Sequence, residues 1–123
     1  MTKLSRILFI FLFAASTLAS ADICTDDYII SGGRSINLLP DMPFQILESN
    51  KSLIVLRGTL ILEFAQHENI IDNGKSVKRY SLEFIGDTYY FDLMRNFDDK
   101  DITWEQYAIK PSKRGFGGTC RAD

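Results

Sequence analysis

Few side chains in this chain are able to do chemistry. His67 is the single histidine among 123 residues, so any histidine general base must be this one. A Ser-His-Asp arrangement also needs a displayed nucleophile, and no G-x-S-x-G elbow occurs; Ser31-Gly32-Gly33 has the small residues of a tight turn without the motif. Flanked by Gln66 and Glu68, His67 reads as a surface or turn residue. Acids cluster at Asp26-Asp27 and at Asp98-Asp99-Lys100-Asp101. A glycosidase requires only two carboxylates, which keeps a small carbohydrate-active enzyme among the readings. The second cluster lacks the alternating oxygen ligands and glycine of a calcium loop and reads as a solvated connection. The sequence therefore assigns no catalytic, cofactor-binding or metal-binding residue and implies no cofactor.

The two cysteines, Cys24 and Cys120, take their meaning from the compartment. The N-terminus carries Lys3 and Arg6, then the apolar run Ile7–Phe13, then the small residues Ala19-Ser20-Ala21. That order is the pattern of a cleavable signal peptide over residues 1–21, with cleavage before Asp22 and one β-rich domain over residues 22–123. The apolar run falls short of the roughly 20 residues a spanning helix needs. The expectation is a periplasmic or secreted product with no stable membrane anchor after cleavage. In such an oxidising compartment two cysteines pair as a disulfide. A Cys24–Cys120 bond would clasp nearly the whole domain, a loop for which chain entropy alone is worth about 4.7 kcal/mol. One histidine and no zinc-type spacing argue against a metal site.

Charge narrows the partners. Removing Lys3 and Arg6 from fourteen basic residues leaves twelve against sixteen acidic ones, a net charge of −4. Such a surface does not suit nucleic acid, whose phosphates require a basic footprint.

The elements that must hold these residues read as strands. Around Gly86-Asp87, Tyr80, Leu82 and Phe84 alternate with Ser81 and Glu83 before the turn, and Tyr89, Phe91 and Leu93 alternate with Tyr90 and Asp92 after it, so that all six fall on one face. A Gly-Asp loop suits a type II′ turn and would pair Phe84 with Tyr89, Leu82 with Phe91 and Tyr80 with Leu93. Leu53–Phe64 is either one strand bent at Gly58 or a hairpin turning at Arg57-Gly58; its two-sided apolar stretch Leu60-Ile61-Leu62 suggests cover on both faces or one end of a barrel. Shorter strands are expected at Tyr28–Ile30, Ser35–Leu39 and Phe44–Leu47, a turn at Asp72-Asn73-Gly74, and a last strand over Ile102–Ile109. Phe64, His67, Ile70 and Ile71 recur at helical spacing and allow one short helical turn. The fold class expected is all-β, a small antiparallel barrel or sandwich of six to eight strands with a terminal disulfide. Cysteines at the chain ends disfavour an immunoglobulin framework.

Two groups of residues resemble contact surface more than chemistry. Tyr90, Met94, Trp104 and Tyr107 place aromatic and thioether side chains on sheet faces, either for a partner or for packing. Lys113, Arg114 and Phe116 lie in the glycine-rich segment Lys110–Gly118, which reads as an irregular loop with Phe116 as a protruding tip or a lid on the core. By elimination the expected function is a small exported non-enzymatic protein that binds another protein, in its most specific form an inhibitor or immunity-type protein acting on a cell-envelope enzyme or toxin. The alternative is a carrier of a small apolar ligand in a β-barrel, for which an apolar cavity of several hundred Å³ is the structural requirement. Neither reading sets the oligomeric state.

Overall fold

The computed structural model describes residues 21–38, 43–96 and 102–122. The export pattern before Ala21 and the acidic cluster Asp98–Asp101 lie outside the described residues. Nine strands follow one another: β1 (Ala21–Ser31), β2 (Arg34–Asn37), β3 (Phe44–Glu48), β4 (Ser52–Arg57), β5 (Leu60–Asp72), β6 (Lys75–Phe84), β7 (Asp87–Asn96), β8 (Ile102–Ala108) and β9 (Arg114–Ala122). All ladders are antiparallel. β1 and β3 to β9 form an eight-stranded meander that closes when β1 pairs with β9. The described residues contain no helix. The fold is therefore a barrel, with β2 as an extra strand. β1 pairs along one edge with β9, and along the other with β3 at Ala21–Cys24 and with β2 at Tyr28–Ser31.

Alternation decides what fills the barrel. Cys24, Phe44, Ile46, Leu53, Val55, Phe64, Tyr80, Phe91, Leu93, Trp104 and Cys120 point inward and form one buried cluster. Trp104 is at its centre, stacked on Phe91 at 5.4 Å and met edge-on by Phe44 at 5.0 Å. Its indole N–H donates to the carbonyl of Thr25 at 3.1 Å, so the largest core side chain carries no unpaired polar atom. The disulfide lies in this layer. Cys24 and Cys120 are register partners across the closing ladder, so the covalent clasp and the last seam of the sheet are one feature.

The hairpin expected at Gly86-Asp87 forms one residue earlier. Its central residues are Ile85 and Gly86, with φ of 50° and 79°, and Phe84 pairs with Asp87. Positive φ at both positions belongs to a type I′ turn, whose twist matches that of the strands; the β-branched Ile85 bears the strain of that conformation. The register moves by two: Leu82 pairs with Tyr89 and Tyr80 with Phe91. A shift of two keeps every side chain on its expected face, and it brings Arg79 opposite Asp92. Leu53–Phe64 is a hairpin, turning at Gly58-Thr59 so that Arg57 pairs with Leu60. Leu60 and Ile61 are exposed, so this stretch is the barrel-end case and not a doubly covered strand.

Two expectations fail for identifiable reasons. The short helical turn at Phe64–Ile71 is strand throughout, interrupted by a bulge between Gln66 and Glu68. The bulge adds one residue at His67 and converts a two-residue period into a spacing that imitates a helix. The glycine-rich segment expected to be an irregular loop supplies the first half of β9. Its glycines are steric requirements of neighbouring strands: a Cβ on Gly117 would strike the ring of Tyr28, and one on Gly118 would strike the Thr25 carbonyl, the acceptor of the Trp104 bond.

Gly118→Ala is accordingly expected to cost about 1–3 kcal/mol, the usual range for overpacking, read as a lowered urea midpoint of the oxidised protein. Replacing both cysteines with alanine is expected to cost about 2–5 kcal/mol by the same measurement.

Candidate functional site

The barrel interior has three zones. At the end holding both described termini, charges close it. Glu48 is bound by Arg95 at 2.7 Å and Lys78 at 3.2 Å, and accepts a hydrogen bond from the Tyr80 hydroxyl at 3.1 Å. Asp22 is buried beside them. Burial works to raise the Glu48 pKa, but the hydrogen bond and charge of Arg95, with the charge of Lys78, outweigh it and hold the carboxyl below its usual range. Burial raises Asp22, partly opposed by Arg95. Among the described residues these are the two buried carboxylates at this end, and with Arg95 and Lys78 they form a plug. Above the plug is the aromatic layer around Trp104.

The opposite end is apolar and open. The β5–β6 ladder runs from Asp72–Lys75 only as far as Ala65–Ser81. Beyond it, Leu60–Phe64 stays with β4 and Leu82–Phe84 stays with β7, so a gap opens in the wall. A recess of about 470 Å³ fills this gap, lined by Leu60, Ile61, Leu62, Phe64, Leu82, Phe84, Tyr89 and Gln106. An adjoining recess of about 410 Å³ shares Tyr89 and Gln106 and extends to Ile29, Ala108, Arg114 and Phe116. Gln106 thus sits between the two. It occupies an inward position of β8, in register with Phe91 on one side and Phe116 on the other. Its side-chain carbonyl oxygen Oε1 is shielded from solvent and has no hydrogen-bond partner. A buried acceptor left unpaired costs about 1–3 kcal/mol. The turns around this end carry exposed apolar side chains, Leu60, Ile61, Phe84, Ile85 and Ile109.

The expected contact residues divide among three places. Trp104 is fully buried in the core and takes no part in any exposed face. Tyr90, Met94 and Tyr107 lie on the outside of β7 and β8. There Asp92 accepts two bonds from Arg79, at 2.8 and 2.9 Å, and one from the Tyr107 hydroxyl at 2.9 Å. Tyr90 stacks on Tyr107 at 5.6 Å, and Lys113 covers the Tyr107 ring at 4.6 Å. Tyr107 is itself buried, and burial together with the Asp92 charge pushes its hydroxyl pKa upward, so it stays a donor. This is a packed outer brace, with Tyr90 and Met94 half-buried and Lys113 exposed at its edge. Arg114 and Phe116 fall instead on the open end, lining the smaller recess, with Phe116 44% exposed.

The candidate chemical groups are engaged in structure. His67 projects from the β5 bulge, edge-on to Tyr90 at 5.8 Å. Asp26 is held by both guanidinium nitrogens of Arg57 at 2.9 and 3.0 Å, and Arg57 lies over the Phe44 ring. Asp27 accepts the hydroxyls of Thr25 and Thr119. Among the described residues no group of three or more His, Cys, Asp or Glu is placed to hold a metal ion. Gln106 is the residue that sequence reasoning passed over. Its signal was a polar side chain on the apolar side of β8, between Trp104 and Ala108.

No protein-family model, curated protein or solved structure matches this chain.

The plug makes stability depend on acid. Glu48 has a depressed folded pKa, so its contribution is present above its unfolded value and is lost as pH falls through the folded one. The opposite shift of Asp22 offsets part of this. From pH 6 down to pH 3 the urea midpoint of the wild type is expected to fall. Glu48→Gln is expected to be less stable at pH 6 and to show a flatter acid limb.

Proposed function

We propose that this barrel binds a small apolar molecule at its open end. The observation that supports this is the recess of about 470 Å³ in the β5–β6 gap, bounded almost wholly by Leu, Ile, Phe and Tyr side chains. Its volume falls within the range of small-molecule sites, and its position at a barrel mouth is a usual one for a ligand. The barrel's middle is filled by Trp104, Phe91 and Phe64, so the ligand sits at the mouth and does not thread the barrel. The oxidised Cys24–Cys120 pair and the N-terminal export pattern support a periplasmic or secreted site of action.

The second reading, an inhibitor or immunity-type protein binding a cell-envelope enzyme or toxin, draws on the exposed Lys113, Arg114 and Phe116. Arg114 and Phe116 line the mouth as well, so the geometry favours the ligand reading for this end. A macromolecular contact would meet the same rim of exposed apolar side chains.

A neutral environment-sensitive dye such as N-phenyl-1-naphthylamine is expected to give saturable one-site fluorescence enhancement with the oxidised protein. Phe84→Glu, which places a charge in the exposed wall of the recess, is expected to weaken binding at least tenfold. Ile71→Glu, at a still more exposed position at the far end of β5, is expected to leave it unchanged. Absence of saturable enhancement in the wild type overturns the reading.

A further inference from the structure

We infer that the molecule taken up at the open end is an amphipathic anion, whose oxyanion head, a carboxylate or a phosphate ester, is held by Arg34 and Arg114 on either side of Ser31 while its hydrocarbon lies in the recess. The inference rests on the apolar-ligand reading above and adds a charged head at the rim. Two ladders set these three residues in one row. Ser31 is the register partner of Arg34 on β2 and of Arg114 on β9, and directly opposite residues present their side chains on the same face of a sheet. The two arginines therefore stand two strand spacings apart, about 10 Å between Cα atoms, with a hydroxyl between them. Gly32 and Gly33, at φ of 59° and 82°, give the β1–β2 connection the type I′ geometry that fixes this pairing. Two residues along each strand, the next row on that face is Ile36, Ile29 and Phe116, continued on β8 by Gln106. Cations thus give way to apolar side chains in one step. Tyr89 and Gln106 then lead from the recess lined by Ser31 and Arg114 to the one lined by Leu62 and Leu82.

The protein supplies no counter-charge to this row. Arg57, Arg79 and Arg95 each bind a carboxylate and Lys113 binds Glu105, whereas among the described residues Arg34 and Arg114 form no ion pair. Both are exposed, and neither recess has an acidic side chain in its lining. Two like charges in one row repel. One oxyanion between them removes that repulsion and accepts charge-assisted hydrogen bonds from both guanidinium forks, a geometry that suits carboxylate and phosphate alike. A cationic head would add to the repulsion, and a neutral one would gain no such bonds.

Four competitors of one chain length separate the heads: octanoate, octyl phosphate, 1-octanol and octyltrimethylammonium, each displacing N-phenyl-1-naphthylamine from the oxidised protein at low ionic strength. At least one of the two anions is expected to compete about tenfold or more tightly than the alcohol, with the ammonium weakest. Whichever anion leads names the head as carboxylate or phosphate. Added sodium chloride is expected to weaken the anions and leave the alcohol unchanged. Arg34→Gln combined with Arg114→Gln is expected to bring the leading anion within about twofold of 1-octanol while dye affinity holds. The wild-type series and its salt dependence do not require that variant to fold. An alcohol that competes as well as both anions, or an anion preference that survives the double substitution, overturns the head-group inference and leaves the recess reading standing. Failure of the dye itself to bind overturns the recess reading.

Discussion

The pairing of β1 with β9 is the constraint on which the rest of the structure depends. Among the described residues it is the only ladder that joins strands distant in sequence, and it converts an open meander into a closed wall. Closing eight strands leaves an interior just wide enough for side chains, and the seam sets what they can be. Cys24 and Cys120 face each other within it, so the core contains a bond where another barrel would place two aliphatic residues. Gly117 and Gly118 carry no side chains because Tyr28 and the Thr25 carbonyl come too close from β1. Through that carbonyl the seam also satisfies Trp104, the central core residue. The same few residues close the sheet, pair the indole and carry the covalent link.

A barrel of this size has to decide how its two ends meet water, and this one solves them differently. The end beneath the aromatic layer is closed by Glu48, Arg95, Lys78 and the Tyr80 hydroxyl, each charge facing an opposite one. Partly shielded pairs of this kind add little net stability, because desolvation offsets attraction, but they shut the end with groups that water can approach. The other end is left apolar and is widened by the parting of β5 and β6. Polarity thus changes along the barrel axis from paired ions, through aromatic rings flanked by the Arg57–Asp26 pair, to a mouth of mainly apolar side chains with Gln106 and Arg114. A packed middle that includes Phe64 and Phe91, whose rings lie 5.7 Å apart, separates the two ends.

Much of this was legible in the residues, and the failures have specific causes. Alternation identified which faces of β6 and β7 point inward, and it did so even though the β6–β7 turn was placed one residue late, because a register error of two preserves parity. The fold class and the disulfide followed from strand patterning and from the two lone cysteines. The strand character of β9 was hidden: its glycines answer to Tyr28 and Thr25, some ninety residues away in the chain, and local propensity reads them as loop. The bulge at His67 disguised a strand as a helical turn. Trp104 and Tyr107 illustrate the remaining ambiguity. An aromatic residue in a strand is core or contact depending on what covers it, and here Phe91, Phe44 and Asp92 cover both. The β5–β6 gap had no local signature, since Leu60–Phe64 reads as an ordinary strand until its missing neighbour is seen.

That gap also bears on how the barrel holds together from moment to moment. Outside β5, the barrel strands are hydrogen-bonded on both sides over most of their length, so a local opening there must break two ladders at once. Along Leu60–Phe64 and Leu82–Phe84 one side is already free, and opening requires the loss of only one. Local stability in proteins follows this kind of arithmetic, and binding regions tend to occupy its low end. The amides beside the recess, like those of the singly paired Gln66–Asp72, are therefore expected to trade hydrogen with solvent sooner than those of the β1–β9 seam, which the cystine pins. The barrel is covalently locked where its first and last strands meet and singly laddered where its wall parts.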